Sequence, residues 1–186
     1  MTKFYMYPVS IRKGRDGRYL ARFSDVPEAI TDGATKAEAY LEAKDALAEA
    51  LMSRMADKED VPAPSEPRGR LLPVALDPTI ALKVALYDAV REQGLTIADL
   101  ARLLGVDHKE ARRLLDPHHV SKLPRLRQAL ASTGYEILVG VQKASKIGAA
   151  GKAAKMGKPA TAKSTKAIVS RKAAPRVRAT KPTVAA

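Results

Sequence analysis

The 186-residue chain has no cysteine, no tryptophan and only two phenylalanines, and no Asp or Glu follows Glu136. Without cysteine there can be no disulfide framework and no thiolate-ligated zinc. Nowhere is there the run of about 18 apolar residues that a membrane-spanning helix needs. The opening MTKFYMYPVSIRKG lacks a long apolar stretch behind a basic end, so no export signal is expected and a cytoplasmic location follows. The shortage of acid is local. Residues 143–186 hold 12 of the 33 Lys and Arg and none of the 20 Asp and Glu, so they supply +12 of the net charge of +13. The sequence pI near 10.0 therefore describes this tail and not the surface of whatever folds before it.

What the chain does have is most legible between Leu95 and Leu130, LTIADLARLLGVDHKEARRLLDPHHVSKLPRLRQAL. Ile97, Leu100, Ala101 and Leu104 recur at helical spacing, Gly105 stops the pattern, and Val106, Ala111 and Leu114 restart it after a short turn. This is the pattern of a helix-turn-helix: Ala101 is small where two helices cross, Gly105 supplies a left-handed backbone, and Val106 plugs the elbow. Thr96 and Asp107 are the expected N-caps. In a DNA-reading motif the second helix would turn Asp107, His108, Lys109, Arg112 and Arg113 to the groove, where Lys and Arg suit guanine edges and phosphates. Asp116-Pro117 ends that helix, and Ser121 and Lys122 stand where the next helix begins and could hold a phosphate at its N-terminus. The candidate DNA-binding residues are Thr96, His108, Lys109, Arg112, Arg113, Ser121 and Lys122. His118 and His119 point apart as neighbours do, with no third ligand type nearby, so no metal site is expected. Such motifs read two half-sites about 34 Å apart through a two-fold axis, which predicts a homodimer or higher oligomer on a double-stranded DNA operator.

Upstream, Tyr5, Tyr7, Val9 and Ile11 alternate with Met6, Ser10 and Arg12 as in a strand, and Tyr19, Ala21 and Phe23 form a matching face in a second. Lys13-Gly14-Arg15-Asp16-Gly17 is rich in turn formers and closes an antiparallel hairpin. Pro8 must sit at an edge or bulge because it cannot donate to a ladder. Ala29-Ile30-Thr31 reads as a third strand ended by Asp32-Gly33. A helix follows with a capping box, Thr35 and Glu38, and an apolar stripe of Ala37, Tyr40, Leu41, Leu47, Leu51 and Met55. The result is a β-β-β-α layer over residues 1–56. Residues 57–76 begin with DKEDVPAPSEPRGR, an extended tether with Pro62, Pro64 and Pro67, followed by Leu71-Leu72-Pro73-Val74 as a candidate short strand. Asp77 with Pro78 opens a further helix and Gly94 closes it. Ile80, Val84 and Tyr87 make one stripe on this helix and Leu82, Leu86 and Val90 another, so it is buried on a wide face and supports the helix pair within a 77–142 domain. The run Tyr135–Val141, YEILVGV, suits a strand or a plain chain end.

FYMYPVSIRKGRDGRYLARFSDVPEAITDGATKAEAYLEAKDAL, followed by RGRLLPVAL, ALKVALYDAVREQGLT and RLLDPHHVSKL, resembles the longer HicB-type antitoxins over Phe4 to Val141. Where many relatives carry Pro-Gly-Cys, this chain has Pro27-Glu28-Ala29. The resemblance implies an α+β protein: a partial ribonuclease-H-like N-terminal domain, a Pro-rich linker, an all-α helix-turn-helix domain, and a basic extension. It also implies a partner, a HicA-type toxin that cleaves mRNA and has a double-stranded-RNA-binding fold, and autorepression of the shared operon. The toxin-facing candidates, chosen by their place on the sheet and its exit, are Tyr19, Arg22, Phe23, Asp25 and Glu28.

Nuclease chemistry would need several carboxylates converging on two metal ions. Asp16, Asp25, Glu28 and Asp32 all fall in turns and loops, so the domain reads as a recognition module, with no catalytic residue, metal or cofactor. The tail, 143–186, has no aromatic residue and a Lys/Ala/Pro/Thr composition similar to linker-histone-type tails; it is expected to be disordered alone and to neutralise phosphates without sequence preference, without membrane attachment. It supports an alternative function, a nucleoid-associated architectural protein acting mainly through the tail. On either reading the protein is nucleoid-associated when bound to DNA.

Overall fold

The computed structural model describes residues 2–141, so the expected disorder of the 143–186 tail lies outside the described residues. Three strands come first: β1 (Met6–Lys13), β2 (Tyr19–Phe23) and β3 (Ile30–Gly33). They are followed by α1 (Lys36–Ala56), β4 (Leu72–Ala75), α2 (Pro78–Glu92), α3 (Ile97–Leu104), α4 (His108–Leu115) and α5 (Leu123–Ser132). The mixed α+β class agrees with the sequence. The candidate short strand at Leu71–Val74 is β4, and it joins the other three in one antiparallel sheet ordered β3-β2-β1-β4.

The fourth strand is the stretch that Pro73 obscured. Its partner residue across the ladder is Pro8. Residues at a pair that exchanges no hydrogen bonds aim their nitrogens away from each other, so neither ring deprives the β1–β4 ladder of a donor. On its other side Pro8 faces past the end of β2, whose pairing with β1 begins at Val9 and Phe23. Pro73 faces the open edge. Two prolines are thus accommodated by one register.

α1 covers one face of the sheet. Thr35 accepts from the Glu38 amide at 3.1 Å and the Glu38 carboxylate accepts from the Ala34 amide at 2.8 Å, the reciprocal capping that the sequence predicts. The buried stripe is Tyr40, Ala43, Leu47, Leu51 and Met55 with Ala39, Ala48 and Ala50, while Ala37 and Leu41 are only half-buried. Alanines let the helix approach closely. Gly33 is where this matters most: a Cβ there would lie 2.4 Å from the Ala39 nitrogen. Gly33 is therefore a packing residue within β3 and not simply a strand terminator.

The segment expected to be a free tether is strapped to the protein. The Tyr7 hydroxyl donates to the Pro62 carbonyl at 2.9 Å and the Tyr87 hydroxyl to the Glu59 carbonyl at 2.8 Å. Ser65 donates through both its amide and its hydroxyl to the Asp25 carboxylate, each at 2.9 Å, and Arg91 pairs with Asp60. Val61 packs against the core. Buried or half-buried tyrosines need partners for their hydroxyls, and linker carbonyls supply them.

Two apolar cores result, and α2 contributes to both. Val84 and Tyr87, with Ile80, lie in the core between sheet and α1. Leu86 and Val90, with Leu82, lie in the core made with α3, α4 and α5. The two stripes read from the sequence thus serve two different bodies.

Candidate functional site

α3 and α4 are joined by a tight turn whose geometry follows from three residues. Gly105 closes α3 in the left-handed region, φ +63° and ψ +35°, where its amide finds Arg102. Val106, half-buried, packs into the elbow. Asp107 then caps α4, accepting from the Glu110 amide at 2.6 Å. Thr96 caps α3 as expected, and Asp99 completes a reciprocal box by accepting from the Thr96 amide at 3.0 Å. Hydrogen bonds from Thr96, with Arg102 2.9 Å away, hold the Asp99 carboxyl below its ordinary value. The pair is anchored from beneath by Leu100, Ala101, Ala111 and Leu114 against Leu86, Leu126 and Leu130.

With Ala111 and Leu114 turned inward, α4 presents His108, Lys109, Arg112 and Arg113 to solvent. Thr96 and Lys122 are also exposed, Lys122 serving as the N-cap residue of α5 without a side-chain cap bond. Ser121 differs: its side chain is 9% exposed, and its Oγ is buried without a partner. It lies in a cleft of about 300 Å³ between α4 and the start of α5, shared with Lys109, Glu110, Arg113, Lys122 and Arg125. Arg125 pairs with Glu110 at 3.1 Å and so ties α5 to α4. Arg125 was not among the sequence candidates, although its position three residues beyond Lys122 puts both on one side of the helix. His118 and His119 are exposed in the loop that follows α4, and no group of acids and histidines able to hold a metal occurs among the described residues.

The residues proposed to face a toxin do not share a surface. Phe23 is 3% exposed and its side chain belongs to the sheet–α1 core, so it adds little to the accessible surface although it also borders the cleft beside Arg22; Tyr19, half-buried on the same side as the Phe23 ring, lies beneath the Lys13 ammonium. Asp25 is occupied by Ser65, and Glu28 pairs with Arg54, which holds its carboxyl low against the opposing effect of burial. Arg22 points the other way. Strand alternation puts it with Pro8, Ser10, Arg12, Leu20 and Ile30 on the face that α1 leaves open, around a cleft of about 640 Å³. Leu20 and Ile30, apolar on the outward side, were the overlooked signal. Asp16 accepts from the Arg18 amide and Asp32 pairs with Arg18, so these acids are engaged locally at the hairpin.

Residues 6–85, all of the sheet, α1 and the first half of α2, match the family model described as HicB_like antitoxin of bacterial toxin-antitoxin system. Antitoxin HicB of Escherichia coli (strain K12) is 35% identical over 131 residues, covering 70% of this chain and 95% of that protein. The chain belongs to the HicB antitoxin family. Two further members from Photorhabdus laumondii subsp. laumondii are similar over most of their length. Antitoxin HicB 1 is 31% identical over 142 residues, 76% of this chain and 90% of its own, and Antitoxin HicB 2 is 34% identical over 134, 72% and 94%. These alignments are longer than the span of the family model, so the likeness runs on into the helical part. No helix among the described residues is long and apolar enough to cross a membrane.

Proposed function

We propose that this family member is an antitoxin that neutralises a HicA-type mRNA-cleaving toxin and represses its own operon by sequence-specific DNA binding as a homodimer. One observation carries the DNA half: Lys109, Arg112 and Arg113 stand together on the exposed side of α4 while Ala111 and Leu114 fix the opposite side in a core. A short helix held this way offers cations to a groove with little ordering cost. In this helix-turn-helix reading Arg112 and Arg113 read base edges. Lys109, His108, Thr96 and Lys122 position the backbone. The toxin half rests on family membership and on the sheet face that carries Arg22, with Pro27 of the following loop in its lining.

Co-expression with the neighbouring gene tests the first claim: a small partner should co-purify, and its ribonuclease activity should return when Arg22 is changed to Glu. A chain that captures no partner defeats it. For the second, Arg112→Ala should cost roughly 1–3 kcal/mol at the operator and relax the preference at one position. A loss that is equal on every duplex would mark Arg112 as a phosphate contact.

A further inference from the structure

Lys83 is 4% exposed, the one charged side chain that is buried among the described residues. Burying an ammonium is costly unless something compensates. Here the Nζ donates to the Asp116 carbonyl at 2.5 Å. Asp116 is the C-cap of α4, where the last carbonyls lack intrahelical partners and the helix end carries partial negative charge. The ammonium thus sits where a cation is favoured. α4 has only 8 residues, too few to be stable without tertiary anchors. Its N-terminal end is held by Asp107, its middle by Ala111 and the Glu110–Arg125 pair, and its last turn by Leu114 in the core. Lys83 adds a charged anchor from α2 at that end.

The place of Lys83 on α2 adds a second argument. At 100° per residue it falls between Tyr87 and Val90, on the seam where the stripe for the sheet core meets the stripe for the helical core. A leucine there would add to either core, yet the position carries a charge, and its ammonium is spent on the Asp116 carbonyl at the end of α4. Burial lowers the Lys83 pKa, with the Asp116 carboxylate opposing, as expected for a group held in place in spite of its desolvation.

We propose that Lys83 is a positioning residue for the DNA-reading surface: from the seam of α2 it fixes the C-terminal end of α4 and so sets the angle at which Lys109, Arg112 and Arg113 meet a duplex. The role rests on the helix-turn-helix reading above, but its first test does not. In the full chain, Lys83→Met keeps the length of the stem and removes the ammonium, and Lys83→Arg restores a cation. Amide hydrogen exchange is then compared across the chain. In Lys83→Met, protection should fall at least tenfold in α4 and stay within twofold in α1, with Lys83→Arg recovering most of it. Binding is measured next on a duplex from the promoter of the operon and on a scrambled duplex, over a salt series. The Met variant should lose at least tenfold in operator selectivity with an unchanged salt slope, because a buried ammonium releases no counterion from DNA. Unchanged α4 exchange overturns the proposal, as does exchange that rises equally everywhere, which marks general destabilisation. A salt slope reduced by about one overturns it in favour of direct phosphate contact. Should the wild-type chain not prefer the operator, the DNA-reading assignment fails, while α4 exchange still decides whether Lys83 holds that helix.

Discussion

Asp88, on α2, is half-buried beside the Tyr5 hydroxyl at 3.3 Å, and burial raises its pKa above 3.8 despite the pull of Lys3, Tyr5 and Arg91. A carboxyl whose folded pKa is raised contributes most below its unfolded value and loses that contribution as pH rises through the folded one. Asp88→Asn mimics the protonated form at every pH. The variant should melt higher than wild type at pH 7, and the difference should close as pH falls below 3.8, followed by calorimetry. Two glycines make a second contrast. Gly105 has open space around its missing Cβ but a left-handed backbone, so Gly105→Ala should cost about 1–2 kcal/mol through the backbone alone and Gly105→Asn less. Gly33→Ala adds a clash with the Ala39 backbone and should be the more damaging in denaturant unfolding. The first of these demands is written in the sequence, because a glycine between two helical patterns announces a turn. The second depends on what packs above the strand.

Among elements, caps and stripes were readable from the chain and pairings across distance were not. Thr35, Asp77, Thr96 and Asp107 all cap the helices that the sequence assigned to them. Thr96→Ala should cost about 1 kcal/mol, seen in chemical denaturation. β4 was half visible: Pro73 argued against a strand, and only the facing Pro8 resolves the difficulty, at a distance in sequence that periodicity cannot reach. The toxin-facing candidates divide for a simpler reason. Tyr19 and Phe23 are an even number of residues apart, so they share a side of β2 that α1 covers, whereas Arg22 alternates to the open one. On α2, Leu86 is fully buried in the helical core and Val84 in the sheet core. Leu86→Ala should cost about 2–5 kcal/mol. Because both cores share that helix, circular dichroism and a probe on β2 should report one coincident transition.

At the scale of the whole chain, charge is distributed by region: the described part is close to neutral and the last 44 residues, 143–186, hold twelve cations and no acid. Deleting them should weaken binding to any duplex and flatten its salt dependence while operator selectivity survives. Selectivity lost with the tail would instead favour the architectural reading. The described part gives reason to expect retention, since the cations of α4 are fixed to a core built from residues between Leu82 and Ile137. A backbone cut within 66–70 would leave two pieces that stay together. β4, downstream of such a cut, remains laddered to β1 upstream of it, and the Tyr87 hydroxyl downstream still donates to the Glu59 carbonyl upstream. Limited proteolysis should therefore yield a nicked protein that migrates as intact in gel filtration and as two fragments only under denaturing conditions.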